Sequence, residues 1–210
     1  QRFYGVNLIG FVLIVGMIGL LIAEMVRTER TGALDAWAVN LASAVYVGYG
    51  LAHFIMLRNL EHPALNQNPL SNLGLEAGAA WIYATFAVTW AADTGAYFAG
   101  RAFGKHKMSP VLSPKKTWEG LIGGAITTFL AAWGIAVLLG LPLNLLGIIG
   151  LGLIGVVGGT FGDLAESLLK RQAGVKDSGN LIPGHGGLLD RIDSLLFTAP
   201  LVYYFVKIVF

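Results

Sequence analysis

Apolar residues run along the chain in six long blocks separated by short polar stretches, each close to the roughly 20 residues that a helix needs to cross a bilayer. The blocks are residues 6–26, 34–57, 79–98, 121–139, 145–169 and 192–210. Pro200 interrupts the last block, which membrane helices tolerate when neighbours satisfy the freed backbone groups. The polar stretches alternate in charge. Arg27 and Arg30 fall in loop one; Arg101, Lys105, Lys107, Lys115 and Lys116 in loop three; Lys170, Arg171, Lys176 and Arg191 in loop five. All but Arg2, Arg58 and Lys207 of the 14 basic residues thus lie on one face. Basic loops stay cytoplasmic, and a missed or extra helix would scramble this alternation. The pattern predicts an all-α polytopic membrane protein of about six transmembrane helices, with loops one, three and five in the cytoplasm.

Composition agrees, since 55% of the 210 residues are hydrophobic and 12% are charged, against about 25% charged in a soluble domain. There is no cysteine, which excludes disulfides, thiolate metal sites and a cysteine nucleophile. Any metal must be held by oxygen or imidazole. The chain opens at Gln1, and its first apolar block is too long for a signal peptide and lacks a small-residue cleavage site; a fragment boundary is expected there. Gly120 and Gly124, Gly155 and Gly159, and Gly158 and Gly162 are each spaced four apart, as in closely packed membrane helices, with a ligand-facing role as the alternative. Without repeats or flexible linkers, residues 1–210 are expected to form one membrane domain. Within it, 1–78 would hold helices one and two, and 79–210 the catalytic helices and loops.

The acidic residues are more informative than the basic ones. Asp93 lies inside helix three, eight residues before Arg101 and so about 12 Å along the axis from the cytoplasmic end. An intramembrane carboxylate marks a polar cavity by default, although a structural ion pair would also account for it. Asp163, Glu166, Ser167 and Lys170 share one helical face, and Asp190 and Asp193 sit three apart where helix six begins. Clustered acids repel one another, so a divalent cation is their natural neutraliser; the competing reading is charge balance with Lys170, Arg171, Lys176 and Arg191 in a solvated loop.

Loop five decides between these. Ser167 to Asp193 reads SLLKRQAGVKDSGNLIPGHGGLLDRID and resembles the phosphatidate cytidylyltransferase signature throughout, in Ser167, Lys170, Arg171, Lys176, Asp177, Pro183, His185, Gly186, Gly187, Asp190, Arg191 and Asp193. A second block is similar to that family's other recurrent stretch: Asp93, Ala96, Tyr97, Gly100, Arg101, Gly104 and Lys105, then Ser113, Pro114, Lys115, Lys116, Thr117, Glu119 and Gly120. Alone, the SPKKTWEG segment would read as an interfacial anchor with Trp118 at headgroup level. GRAFGK at residues 100–105 is no P-loop, because its spacing, the residue after the lysine and the lack of a preceding strand all fail.

The resemblance implies transfer of the cytidylyl group of CTP to phosphatidic acid, giving CDP-diacylglycerol and pyrophosphate, and it implies further helices before these. Asp163, Asp190, Lys170, Arg171 and Lys176 are then the expected catalytic residues. Lys115, Lys116, Ser113, Ser167, His185, Gly186, Gly187, Arg191, Asp93 and Asp177 are expected to bind substrate. Mg²⁺ or Mn²⁺ would be held by Asp163 and Asp190, with Asp193 and Glu166 as further ligand candidates and room for a second cation. CTP, phosphatidic acid and membrane lipids are the expected partners, without nucleic acid and with a homodimer as the family's assembly. A bacterial inner membrane, with a polar cavity open to the cytoplasm, is the expected setting. A relative using another lipid phosphate or a polyprenol substrate is the nearest rival; an ion-coupled transporter, using Asp93, Glu24 and the glycine-rich helices, would have no need of the HGG and DRID elements.

Overall fold

The structure is a computed structural model that describes residues 2–3, 6–28, 31–60, 76–179 and 187–210. It divides into two compact units, Gln1–Tyr49 and Gly50–Phe210. In the first, strands β1 (Arg2–Phe3) and β2 (Val6–Asn7) pair antiparallel ahead of helices α1 (Leu8–Met25) and α2 (Ala33–Ser43), and α2 runs on into a π-helical turn, Ala44–Tyr49. The Trp37 indole donates to the Met17 carbonyl at 3.1 Å, joining the two helices. Phe11, Ile14, Val15, Ile18 and Ile22 of α1 are exposed, as expected of a surface that meets lipid.

The second unit is built from α3 (Gly50–Arg58), α4 (Ala77–Phe103), a hairpin of β3 (Lys107–Ser109) and β4 (Ser113–Thr117), then α5 (Trp118–Leu139), α6 (Leu145–Gln172) and α7 (Leu189–Val209). Leu57, Trp81, Ala84, Val88, Ala132, Leu151, Ala199 and Val202 form its core, while Ile122, Ile126, Leu130, Trp133 and Val137 on α5 stay exposed. Ala33–Arg58, α5, α6 and α7 are long and apolar enough to cross a membrane, and α1 is a shorter apolar helix. α4 is also long enough at 27 residues, but Thr85, Thr89 and Asp93 interrupt its apolar character. The protein is thus an all-α polytopic integral membrane protein, its small hairpins aside. α7 continues through Pro200.

Glycine sets how closely these helices approach. A Cβ on Gly124 would lie 2.8 Å from the Ala92 carbonyl oxygen of α4, and one on Gly162 would lie 2.5 Å from Ser194 Cα of α7. Gly124, Gly155, Gly158 and Gly162 therefore face neighbouring helices, as small-residue seams in membranes do, while Gly120 packs on α4 and also lines a cavity.

Candidate active site

The basic segment expected as an open loop is instead a hairpin locked to the helix on each side of it. β3 and β4 pair Lys107 with Thr117 and Ser109 with Ser113. The Thr117 hydroxyl accepts from Gly120 N–H at 3.1 Å and caps α5, satisfying one of the helix's orphan donors. The Glu119 carboxylate accepts from the backbone N–H groups of Lys105 and His106 and contacts His106 Nδ1 at 2.5 Å. Trp118 N–H donates to the His106 carbonyl. The end of α4 is thereby tied to the start of α5, and Lys115 and Lys116 are carried to the edge of a cavity.

That cavity measures about 430 Å³, within the range of small-molecule sites. Asp93 and Tyr97 of α4, Lys115, Lys116 and Ser113 of the hairpin, Leu121 of α5, Thr160 and Asp163 of α6, and Asp190, Asp193 and Ser194 of α7 all line it. Lys116 reaches across to α6, where its Nζ donates to the Thr160 carbonyl at 3.0 Å and pairs with Asp163 at 2.7 Å.

Beside Lys116, single carboxylate oxygens of Asp163, Glu166 and Asp193 lie within 4.8 Å of one another. The i,i+3 spacing brings the first two onto one face of α6, and Gly162 lets α7 come close enough to add the third. Glu166 is 1% exposed. Its Oε2 accepts from Lys170 at 2.6 Å, and its buried Oε1 has no hydrogen-bond partner among the described residues. A buried acceptor without a donor is costly, and three converging carboxylates repel. Both problems are resolved by a hard cation with oxygen ligands, so the residues present fit Mg²⁺ or Mn²⁺.

Asp190 is differently placed. Its Oδ1 accepts from Lys170 at 2.7 Å, and its Oδ2 accepts from Ser178 N–H at 2.8 Å, Ser178 Oγ–H at 2.7 Å and Gly187 N–H at 2.7 Å. Lys170, expected to be catalytic, lies between Glu166 and Asp190 instead of lining the cavity. Ser167 is half-buried on α6, while Arg171, Lys176, Asp177 and Arg191 are exposed and also do not line it. His185 and Gly186 lie outside the described residues.

Sequence reasoning did not single out Tyr97, Thr160 or Ser194 as site residues. Thr160 precedes Asp163 and Ser194 follows Asp190 by about one helical turn, so helical periodicity carried a signal for both; Tyr97 stood within a recurrent block without an assigned role.

Two membrane helices that bring carboxylates together beside a lysine-bearing hairpin make a site suited to anionic phosphates, and similarity to known proteins points the same way. The model of the cytidylyltransferase family matches residues 3–209. The chain belongs to that family. It is 36% identical to the phosphatidate cytidylyltransferase of Bacillus subtilis over 90% of this chain and 65% of that protein. Against the phosphatidate cytidylyltransferase of Staphylococcus haemolyticus it is 39% identical, over 87% of this chain and 64% of the relative. With the Haemophilus influenzae enzyme of the same name, identity reaches 52% over 57% of this chain and 43% of the relative. The chain thus spans less than two thirds of the length of these relatives.

Proposed function

We propose that this cytidylyltransferase-family chain carries the catalytic site for the reaction of CTP with phosphatidic acid, giving CDP-diacylglycerol and pyrophosphate. The observation that carries the reading is the convergence of Asp163, Glu166 and Asp193, with a buried Glu166 oxygen that has no partner among the described residues, at the wall of a cavity lined by Asp163 and Asp193 and edged by Lys115 and Lys116. The names of the relatives supply the substrates, and the cavity volume accommodates a nucleotide.

In this reading an oxygen of the phosphatidate phosphate attacks the α-phosphorus of CTP. A new P–O bond forms, the bond from the α-phosphorus to its bridging oxygen breaks, and the electron pair leaves with pyrophosphate. A phosphate monoester is largely a dianion near neutral pH, so no protein base is needed. Reactions of this kind depend on positioning and charge stabilisation. Lys115 and Lys116 lower the repulsion between two anionic reactants, and Ser113 and the Thr117 hydroxyl are donors at the hairpin edge. Asp163 and Asp193, supported by Glu166, would hold Mg²⁺ or Mn²⁺, which when bound neutralises triphosphate and leaving-group charge. Asp93, facing them from α4, is the group available to a second cation. The basic residues of the hairpin and of loop five support a cavity mouth on the cytoplasmic side of a bacterial inner membrane, where CTP is available.

The test is pyrophosphate release by the purified protein in mixed micelles with CTP and Mg²⁺. Phosphatidate is expected to support turnover at least about tenfold above polyprenyl phosphate or an unsaturated ether-lipid phosphate, a preference of about 1.4 kcal/mol. Equal or greater rates with a rival lipid would reassign the acceptor.

A further inference from the structure

The reading above leaves Lys170 without a place on the substrate, and its surroundings suggest another task. Its Nζ lies 2.6 Å from Glu166 Oε2 and 2.7 Å from Asp190 Oδ1, with the Lys170, Glu166 and Asp190 side chains only 17%, 2% and 10% exposed. Beyond Asp190 the network continues into loop five, because the same carboxylate takes both N–H and Oγ–H of Ser178 and the N–H of Gly187. Asp190 N–H in turn donates to Ser178 Oγ at 3.3 Å. Two strands of chain cross there without room for a side chain: a Cβ on Gly187 would stand 2.3 Å from Ser178 Oγ and 2.7 Å from Gly179 N.

We propose that Lys170 is a positioning residue, a half-buried countercharge that joins the acid cluster, through Glu166, to the neck of loop five, through Asp190. Drawing Lys170 out to meet a phosphate would leave the buried Glu166 carboxylate without its countercharge, which is strongly unfavourable, and leave Asp190 with only its Ser178 and Gly187 donors. A lysine suits the place because one compact ammonium carries three donors, enough to serve both acids. Glu166 belongs to both groups, so the position of Lys170 sets the geometry that a cation meets at Asp163 and Asp193. Lys170 and Asp190 should therefore act as one unit.

The proposal rests on the functional reading above only for the identity of the cation, and its test is separable from activity. Mn²⁺ affinity of the purified protein in detergent would be measured by electron paramagnetic resonance for Lys170→Met, Asp190→Asn, the double variant and the charge-conserving Lys170→Arg, with thermal unfolding as the check on folding. Groups that orient metal ligands are worth about 10–100-fold in metal affinity. Each single variant is expected to weaken Mn²⁺ by that factor, the double variant by no more than the larger single loss, and Lys170→Arg to weaken it although charge is kept. Losses that multiply in the double variant, or a Lys170→Arg protein with unchanged affinity, would overturn the proposal. If one variant fails to fold, Lys170→Arg and Asp190→Asn still decide it. A coupled cycle in a protein that releases no pyrophosphate from CTP would sink the functional reading and leave the positioning role standing.

Discussion

At the scale of single residues, the division of labour among the acids is the main result. Asp163, Glu166 and Asp193 share a small volume in which one buried Glu166 oxygen has no hydrogen-bond partner among the described residues, whereas Asp190 is held by Lys170, Ser178 and Gly187. Asp163→Asn and Asp193→Asn are each expected to lower turnover by about 10²–10³-fold, the usual cost of removing one preorganised electrostatic group. Because Asp193→Asn also relieves repulsion between neighbouring carboxylates, its thermal midpoint in excess chelator should stay the same or rise, as for other sites whose function opposes stability, whereas Asp163→Asn also gives up the Lys116 ion pair. A large fall in midpoint for Asp193→Asn would mean that these acids hold the fold together. Much of the site was legible in the sequence: spacing put Asp163 and Glu166 on one face, and the family resemblance picked out the lysine-bearing hairpin. The different role of Asp190 was not legible, because which carboxylate receives backbone N–H groups depends on how loop five crosses itself, and Ser178 carried no signal for that.

At the scale of elements, the glycine seams decide how far the helices can close. Gly162→Ala would drive a methyl into the α7 backbone at Ser194, and over-packing of this kind costs about 1–3 kcal/mol. Gly134, on the same scaffold, has nothing within 4 Å of a built Cβ, so Gly134→Ala should be neutral or gain up to about 1 kcal/mol in helix propensity. Thermal unfolding in one detergent compares them directly, and equal effects would show that the α6–α7 seam is looser than described. The helices themselves were readable from hydropathy, with ends displaced by a few residues: α4 runs to Phe103, so Arg101 is helical, and α7 begins at Leu189, so Asp190 and Arg191 sit in its first turn. The β3–β4 hairpin was not readable. Its strands are short and polar, and they are held by Glu119 and Thr117 at their ends rather than by an alternating apolar pattern.

At the scale of the whole molecule, the ends of the second unit differ in chemistry. The end of α4, the hairpin, the end of α6 and the start of α7 gather the lysines and acids, while Arg58 donates to Glu76 at the other end. The absence of native cysteine allows a clean topology test. Single cysteines replacing Val111 and Val175 are expected to react with an impermeant maleimide only from the cytoplasmic side, and one replacing Pro142 only from the opposite side. Labelling of all three from one side would refute the assigned orientation. The central claim is that this site passes the cytidylyl group directly from CTP to a lipid phosphate. It is tested most directly by following CTP labelled at the α-phosphorus into the organic phase. The label should enter lipid only when phosphatidate and a divalent cation are both present, with inversion at the α-phosphorus and no exchange of labelled pyrophosphate into CTP without lipid. Lipid-independent exchange together with retention of configuration, or undiminished transfer by the Asp193→Asn protein, would contradict it.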